Sequence, residues 1–198
     1  VCLIALYHYL RIFESFNEAY MFINGVITET GGQLNVSYRY VGWLLTVPLL
    51  LLELVLVIRL KREETFSLGA KLTIAAIIMV LLGYSGEGLV GSDQLHERWI
   101  YWSLAMFPFL FILYNLIIKL KNPISKQPKI VQSLVSNSRW LLIASWTIYP
   151  VVYLLPIFKP STSYVNLQVG YTVADILSIA AFGIMIYLIA QRKSDIGA

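Results

Sequence analysis

Charged residues and cysteines are scarce in this sequence. Of its 198 residues 13% are charged and 58% are hydrophobic, and the mean hydropathy is +0.71. A soluble domain of this length needs more charge to cover its surface, so a water-soluble globular protein is excluded. The one cysteine, Cys2, excludes an internal disulfide and any metal site built from several cysteines.

Recognisable enzyme motifs are also missing. The sequence contains no nucleophile–base arrangement, no phosphate-binding loop and no cluster of metal ligands, so we expect no enzymatic activity. The formal net charge of +4 does not call for a nucleic-acid partner. Basic residues clustered in the cytoplasmic loops of a membrane protein give the same sum. We expect membrane lipids as partners and no nucleic acid.

Long apolar blocks dominate the chain, and several reach the roughly 20 residues that a helix needs to cross a bilayer. They predict an all-α membrane protein with one domain over residues 1–198. The first block starts at Val1 without a flanking charge or an initiator methionine, so we expect the beginning of its helix, and a whole helix before it, to be missing. The six predicted helices are about 1–13, 36–58, 66–83, 99–120, 130–157 and 165–190.

A β-hairpin is predicted between the first and second blocks. Residues 20–23 and 26–29 form two short strand-like runs, and Asn24-Gly25 separates them. Both residues accept the positive φ angles that a tight two-residue turn demands. An unstructured loop is the alternative.

The distribution of charge predicts the orientation in the membrane. Basic residues predicted to follow the second and fourth blocks, or to end the chain, are Arg59, Lys61, Arg62, Lys71, Lys119, Lys121, Lys126, Lys129, Arg192 and Lys193. Acidic residues assigned to the opposite side are Glu14, Glu18, Glu29, Glu87, Asp93 and Glu97. The positive-inside rule therefore predicts a cytoplasmic C-terminus and an outward-facing hairpin.

Four ionisable residues are predicted to lie at membrane depth, where such groups are costly and usually functional. They are His8, Arg39, Glu53 and Asp175. Arg39 is the expected partner of Asp175, and Glu53 is expected to be protonated at rest. His8 is either a structural histidine bonded to a backbone carbonyl or part of the charge coupling, and Arg39 has the alternative of extending to the outer interface.

Five sequence blocks resemble the microbial rhodopsins, with proteorhodopsin and xanthorhodopsin as the nearest types. Residues 39–53, from Arg39 to Glu53, resemble the third helix of the proton-pumping members. The similarity continues at 7–11, 83–87, 146–150 and 171–175, in family order. It implies a bundle of seven transmembrane helices, six visible here with the first missing, and the hairpin in the loop between the second and third.

The resemblance also implies roles for individual residues. Arg39 is similar to the arginine outside the retinal site, Asp175 to the counterion, and Glu53 to the proton donor; His8 belongs to the same proton path. The positions that resemble the lining of the retinal pocket are Trp43, Leu50, Met79, Trp146, Tyr149, Pro150 and Ser178. Ordinary packing inside the bundle is the alternative for the aromatic residues.

Two positions depart from the family pattern. The lysine that binds retinal lies four residues after the aspartate, and here that position is Ile179. A Schiff base requires a primary amine, which isoleucine lacks. The proton acceptor, three residues after the arginine, is replaced by Gly42. Because one cation and one anion are lost together, Arg39 and Asp175 are left as a balanced pair.

A third departure concerns the second pigment of xanthorhodopsin-type proteins. These proteins use a glycine in the fifth helix to open a window for a carotenoid ring, and the best-matching position here is Trp102. An indole ring would fill such a window. We therefore expect no antenna carotenoid at this position.

These features predict a rhodopsin-like protein of the bacterial inner membrane without covalent retinal. Its function is then that of a non-pumping subunit in a homo- or hetero-oligomer of rhodopsins, or of a noncovalent binder of retinal or another apolar ligand. The alternatives are a light-driven proton pump or ion transporter, and a photoreceptor that uses noncovalently bound retinal. Sensory signalling through a membrane partner has no transducer domain to support it.

Overall fold

Helices account for most of the protein in the computed structural model, which describes residues 1–89, 95–158 and 163–196. Asp93 lies outside these residues. The elements in chain order are α1 (Cys2–Ala19), β1 (Tyr20–Ile23), β2 (Val26–Glu29), α2 (Ser37–Ile58), α3 (Arg62–Tyr84), α4 (Leu95–Tyr114), α5 (Lys121–Ser125), α6 (Lys129–Tyr153), α7 (Leu155–Phe158), α8 (Ser163–Asp175) and α9 (Phe182–Asp195).

Five helical stretches among the described residues are long and apolar enough to cross a membrane. They are Ser37–Ile58, Arg62–Gly88, Leu95–Ser125, Lys129–Phe158 and Val165–Asp195. α1 packs against α2 and carries Arg11, Glu14 and Glu18 in its second half. The prediction of an all-α, multi-pass membrane protein with one small hairpin is confirmed.

Several helices extend beyond their predicted boundaries: α4 begins at Leu95 instead of residue 99, α9 ends at Asp195 instead of residue 190, and α1 and α3 differ as well. α1 continues to Ala19, beyond the predicted end at residue 13. α3 begins at Arg62, so Arg62 and Lys71 lie on the helix and not in the connection before it. Glu63 and Glu64 occupy the first turn of α3, where negative side chains interact favourably with the helix dipole. Hydropathy alone places the start later, because this turn is charged.

The predicted hairpin is present. β1 and β2 pair antiparallel, and Ile23 lies opposite Val26 next to the turn. Asn24 and Gly25 adopt φ angles of 51° and 84°, as the two-residue turn requires.

Within the described residues, three π-helical segments continue the long helices at Ser85–Leu89, Asn115–Lys119 and Ile176–Ala181. Such segments are frequent at functional sites. The last one joins α8 to α9, so these two elements form a single continuous helix. Apolar side chains of α2, α4, α6 and α9 form the larger core, which includes Leu54, Ile112, Leu142 and Phe182.

Candidate functional site

Asp175 lies at the centre of a buried hydrogen-bond network at the end of α8. Its Oδ1 accepts bonds from Trp43 Nε1 at 2.8 Å and from the Tyr149 hydroxyl at 2.5 Å. Its Oδ2 accepts a bond from the Tyr9 hydroxyl at 2.6 Å. Three neutral donors from α1, α2 and α6 therefore hold one carboxylate, which is 3% exposed.

Arg39 completes this network as the predicted partner of Asp175. Its Nη1 lies 3.4 Å from Asp175 Oδ2, and the Arg39 side chain is also 3% exposed. The same nitrogen donates to the Tyr9 hydroxyl at 3.2 Å, and Nη2 donates to Gln168 Oε1 at 2.7 Å. Arg39 is thus buried and bonded inside the bundle instead of reaching the interface. The two buried charges balance each other, and each has additional hydrogen bonds, the condition under which such a pair is tolerated.

His8 packs against Gly42, the position that resembles the proton acceptor. A Cβ atom added to Gly42 would lie 3.1 Å from His8 Cβ and 3.2 Å from His8 Cγ, closer than ordinary van der Waals contact. His8 Nδ1 is 2.9 Å from the Ile4 carbonyl oxygen, so the histidine has the backbone bond that the sequence left as one of two alternatives. The imidazole occupies the space beside Gly42.

Ile179 lies within the π-helical segment Ile176–Ala181 and is buried. It lines a small cavity with His8, Arg39, Gly42, Thr46 and Asp175, which we call the inner cavity. This cavity offers about 10 Å³ to the centre of a water-sized sphere. One water molecule needs about 10–15 Å³ by the same measure, so the space suits a single water-sized group.

A second, larger space, the apolar cavity, lies between α2, α3, α4 and α6. It offers about 100 Å³ to the centre of a water-sized sphere, and its walls are almost entirely apolar. The predicted pocket residues that line it are Trp43, Met79, Trp146, Tyr149 and Pro150. Trp43 lines both cavities and so forms their shared wall. Neither lining includes a lysine among the residues that the structure describes.

The remaining predicted residues occupy other places. Leu50 packs in the larger core, and Ser178 is buried with its hydroxyl 2.8 Å from the Tyr149 hydroxyl. Trp102 lines the apolar cavity and donates from Nε1 to the Pro150 carbonyl oxygen at 2.9 Å. Glu53 is half-buried on α2, 11 residues and roughly 16 Å along the helix from Gly42.

A second buried ion pair was missed by the sequence reasoning. Glu87, predicted to lie in an outer loop, instead lies in the π-helical segment that follows α3, and its side chain is 3% exposed, so that prediction is wrong. Its carboxylate is 3.4 Å from Arg98 Nη2 and accepts bonds from the hydroxyls of Tyr40 and Tyr171, both at 2.9 Å. Charge alone suggests an exposed loop. The crowding beside this pair, where a Cβ on Gly86 would collide with Tyr101 and Tyr153, is visible only in the tertiary structure.

The sequence matches known proteins over nearly its whole length. The family model described as "Bacteriorhodopsin-like protein" matches residues 1–192. The green-light absorbing proteorhodopsin of Gamma-proteobacterium EBAC31A08 is 31% identical over 178 residues, which are 89% of this chain and 69% of that protein. Archaerhodopsin-2 of Halobacterium sp. (strain aus-2) is 28% identical over 84% of this chain and 64% of that protein.

Solved structures of rhodopsins are also similar to this chain. The fold is similar to xanthorhodopsin, described as a light-driven ion pump with dual chromophore, with a TM-score of 0.87 and 44% identity over 98% of this chain and 77% of that one. Thermophilic rhodopsin is 41% identical, also with a TM-score of 0.87, over 97% of this chain and 77% of that one. With its family match, its transmembrane bundle and its buried arginine–aspartate pair, the chain belongs to the bacteriorhodopsin-like family, the microbial rhodopsins.

Proposed function

We propose that this protein binds an elongated apolar ligand, retinal or a related polyene, without a covalent bond. The observation that carries the proposal is the aromatic, apolar cavity bounded by Trp43, Trp146 and Tyr149. Ile179, whose position resembles that of the family's lysine, lines the inner cavity, which shares Trp43 with the apolar one. Pockets for small molecules are mostly apolar with few polar groups, and the apolar cavity has that composition.

The charges around Ile179 support a ligand without a Schiff base. A protonated Schiff base would add a buried cation beside Arg39, and Gly42 supplies no second carboxylate to balance it. With Arg39 and Asp175 alone, the buried charges sum to zero. A neutral ligand therefore enters without leaving an uncompensated charge in a low-dielectric site.

Light-driven ion transport is the second candidate, favoured by the relatives. Xanthorhodopsin is described as a light-driven ion pump. Arg39, Asp175, His8 and Glu53 are the residues that resemble the proton path of the family in sequence. Transport would need light absorbed by noncovalently bound retinal, and a proton acceptor other than Gly42. The photoreceptor alternative requires only the bound pigment. A role as a non-pumping subunit of a rhodopsin oligomer stays a prediction, as does the cytoplasmic C-terminus in the bacterial inner membrane.

Pigment binding tests the proposal directly. The protein is expressed with a saturating amount of all-trans retinal, purified, and its absorption spectrum recorded before and after hydroxylamine. Borohydride reduction followed by denaturing electrophoresis then shows whether the pigment stays on the chain. We expect wild-type protein to retain retinal that is lost completely on denaturation.

The Ile179→Lys variant is the matched comparison, with Ile179→Leu as the control for disturbance of the packing. We expect Ile179→Lys to acquire pigment that survives denaturation after reduction, while Ile179→Leu behaves like wild type. The Ile179→Lys/Gly42→Asp variant restores both missing groups. Retinal bound covalently to wild type would contradict the proposal. So would a result in which neither wild type nor either lysine variant retains retinal.

A further inference from the structure

Arg139 on α6 is a buried cation to which the described residues supply no anion. It lies in the membrane-spanning stretch Lys129–Phe158 and is 7% exposed. The ion pairs found within the described ranges are Arg11–Glu14, Arg39–Asp175 and Arg98–Glu87. A buried charge without a counter-charge is strongly destabilising, so an unpaired arginine at membrane depth indicates a partner from outside the chain.

The guanidinium group of Arg139 also has few hydrogen-bond acceptors. Its Nη1 donates to the Leu116 carbonyl oxygen at 3.5 Å, which is long for such a bond. Its Nε is fully buried and has no partner among the residues that the structure describes. An arginine carries five N–H groups, so most of those on Arg139 are free to bind a ligand.

The exposed face of α6 changes from polar to apolar at the level of Arg139. Ser133 and Asn137 are exposed towards the start of the helix, and Trp140 and Ala144 follow at the same spacing and are exposed as well. Residues spaced by three and four positions share one face of a helix. A change of this kind marks the boundary between lipid headgroups and hydrocarbon.

The neighbouring end of α4 shows the same change. Tyr114 and Ile118 are exposed there, and the basic residues Lys119 and Lys121 follow them. Leu116, whose carbonyl oxygen accepts the bond from the arginine, lies in the π-helical segment Asn115–Lys119, less than one helical turn before Lys119. The guanidinium group is therefore close to the level at which this helix becomes basic.

Trp140 adds an interfacial side chain at the same level. It is 48% exposed, and its ring centroid lies 5.0 Å from Arg139 Cζ, within the range of a cation–π contact. Tryptophan is enriched where a membrane meets water, because the indole ring has an apolar body and a polar N–H group. The position of Trp140 thus agrees with the changes of polarity on α4 and α6.

We propose that Arg139 binds the phosphate group of an anionic phospholipid between α4 and α6. Phosphate oxygens match the planar set of N–H groups on a guanidinium, and the negative charge balances the buried cation. The acyl chains of the lipid lie along exposed apolar side chains of the two helices, such as Tyr114, Ile118 and Trp140. A free anion has no acyl chains to contact them, so these side chains favour a lipid.

Thermal unfolding with added lipid tests this site. Purified protein in a neutral detergent is freed of lipid and titrated with phosphatidylglycerol, and the melting temperature is followed by circular dichroism. A ligand that binds only the folded state raises the melting temperature. We expect wild type to be stabilised, and Arg139→Met to need about ten times more lipid for the same rise, the ratio for a lost charge-assisted hydrogen bond.

The unpaired charge predicts an opposite effect when no anionic lipid is present. Arg139→Met is then expected to melt at a higher temperature than wild type, because it removes a buried charge and keeps an apolar side chain. Arg192→Met is the matched control. Arg192 is exposed at the same end of the bundle, since its neighbour Lys193 donates to Gln127 just before α6. We expect this control to respond to phosphatidylglycerol as wild type does.

Two further ligands identify the source of the anion. Phosphatidylcholine with the same acyl chains has no net charge, and inorganic phosphate has no acyl chains. We expect neither to stabilise wild type as phosphatidylglycerol does at equal concentration. These comparisons use wild type alone and remain decisive if a variant does not fold.

Equal stabilisation of wild type by phosphatidylcholine would overturn the proposal, and so would the same response of Arg139→Met and wild type to phosphatidylglycerol. A matching rise produced by inorganic phosphate would show a site for a free anion and would overturn the assignment to a lipid.

Discussion

Trp43 donates its indole hydrogen directly to Asp175 Oδ1 at 2.8 Å, and in this way it ties the wall between the two cavities to the buried ion pair. The same indole ring contacts the rings of Tyr149 and Tyr171 edge-on, with centroids 5.1 and 4.9 Å apart. The apolar cavity and the charge network therefore share Trp43 and Tyr149, which both line the cavity and both donate to Asp175.

Replacing Trp43 by Phe tests this connection. The change keeps an aromatic ring but removes a hydrogen bond to a buried carboxylate, so we expect the free energy of unfolding to fall by about 1–3 kcal/mol. Retinoid affinity is expected to fall with it. Unfolding in detergent, followed by circular dichroism, measures the stability. Trp99→Phe is the control, since Trp99 is 36% exposed. Equal effects of the two changes would refute the connection.

Arg39 and Asp175 are expected to depend strongly on each other. Arg39→Gln or Asp175→Asn alone leaves one buried charge without its partner, which costs about 3–5 kcal/mol in unfolding free energy. The Arg39→Gln/Asp175→Asn variant removes both charges, so we expect it to be markedly more stable than the sum of the single losses predicts. A double-mutant cycle on unfolding free energies measures this coupling. Strictly additive losses would show that the pair does not interact.

Gly42 is expected to resist the addition of even one methyl group. Alanine normally stabilises a helix by about 1 kcal/mol relative to glycine. At Gly42, however, the new Cβ would lie 3.1 Å from His8 Cβ, and overpacking of a core typically costs about 1–3 kcal/mol. We expect Gly42→Ala to lower the melting temperature. Gly183→Ala is the control, because its Cβ would meet only Cys2 Sγ at 3.5 Å, and we expect it to be neutral or stabilising. Equal stabilisation by both would disprove the tight contact.

The buried charge of Glu87 is expected to stabilise the end of the bundle where it pairs with Arg98. Glu87→Gln keeps the shape and one acceptor oxygen but leaves Arg98 without its anion. We expect a loss of about 3 kcal/mol in unfolding free energy, the lower end of the range for breaking a buried ion pair. Glu97→Gln removes the same charge from an exposed position and should change stability little. If the two variants unfold alike, the Glu87–Arg98 pair contributes no net stability.

Lys193 is expected to stabilise the last turn of α2. Its Nζ donates to the Val57 carbonyl oxygen at 2.7 Å and to Gln127 Oε1 at 2.5 Å, and Gln127 donates to the Ile58 carbonyl oxygen at 2.8 Å. Carbonyl groups in the last turn of a helix have no partner within the helix, so these bonds satisfy them. Lys193→Met should therefore speed hydrogen exchange in the last turn of α2 and around Gln127. Arg192→Met, at the neighbouring exposed residue, is the control, and we expect it to leave hydrogen exchange unchanged. Unchanged exchange in both would exclude this role.

Much of the candidate site could be predicted from sequence because several of its residues lie on one helix. Arg39, Gly42, Trp43 and Thr46 are spaced by three and four residues along α2, and such positions share a face. The partnership of Arg39 with Asp175 also followed from sequence, since a buried charge needs an opposite one. The three donors to Asp175 could not be predicted from sequence, because Tyr9, Trp43 and Tyr149 come from three different helices.

The sequence by itself determined the transmembrane helices and the hairpin, because both depend on local properties. The blocks of apolar residues are long enough to cross a bilayer, and Asn24 and Gly25 accept the positive φ angles of a two-residue turn. The tertiary structure alone decided which side chains line the cavities and which charges are buried. Leu50 packs in the core, and Glu87 pairs with Arg98. The rotation of each helix and the side chains it contacts are set by packing between segments far apart in the chain.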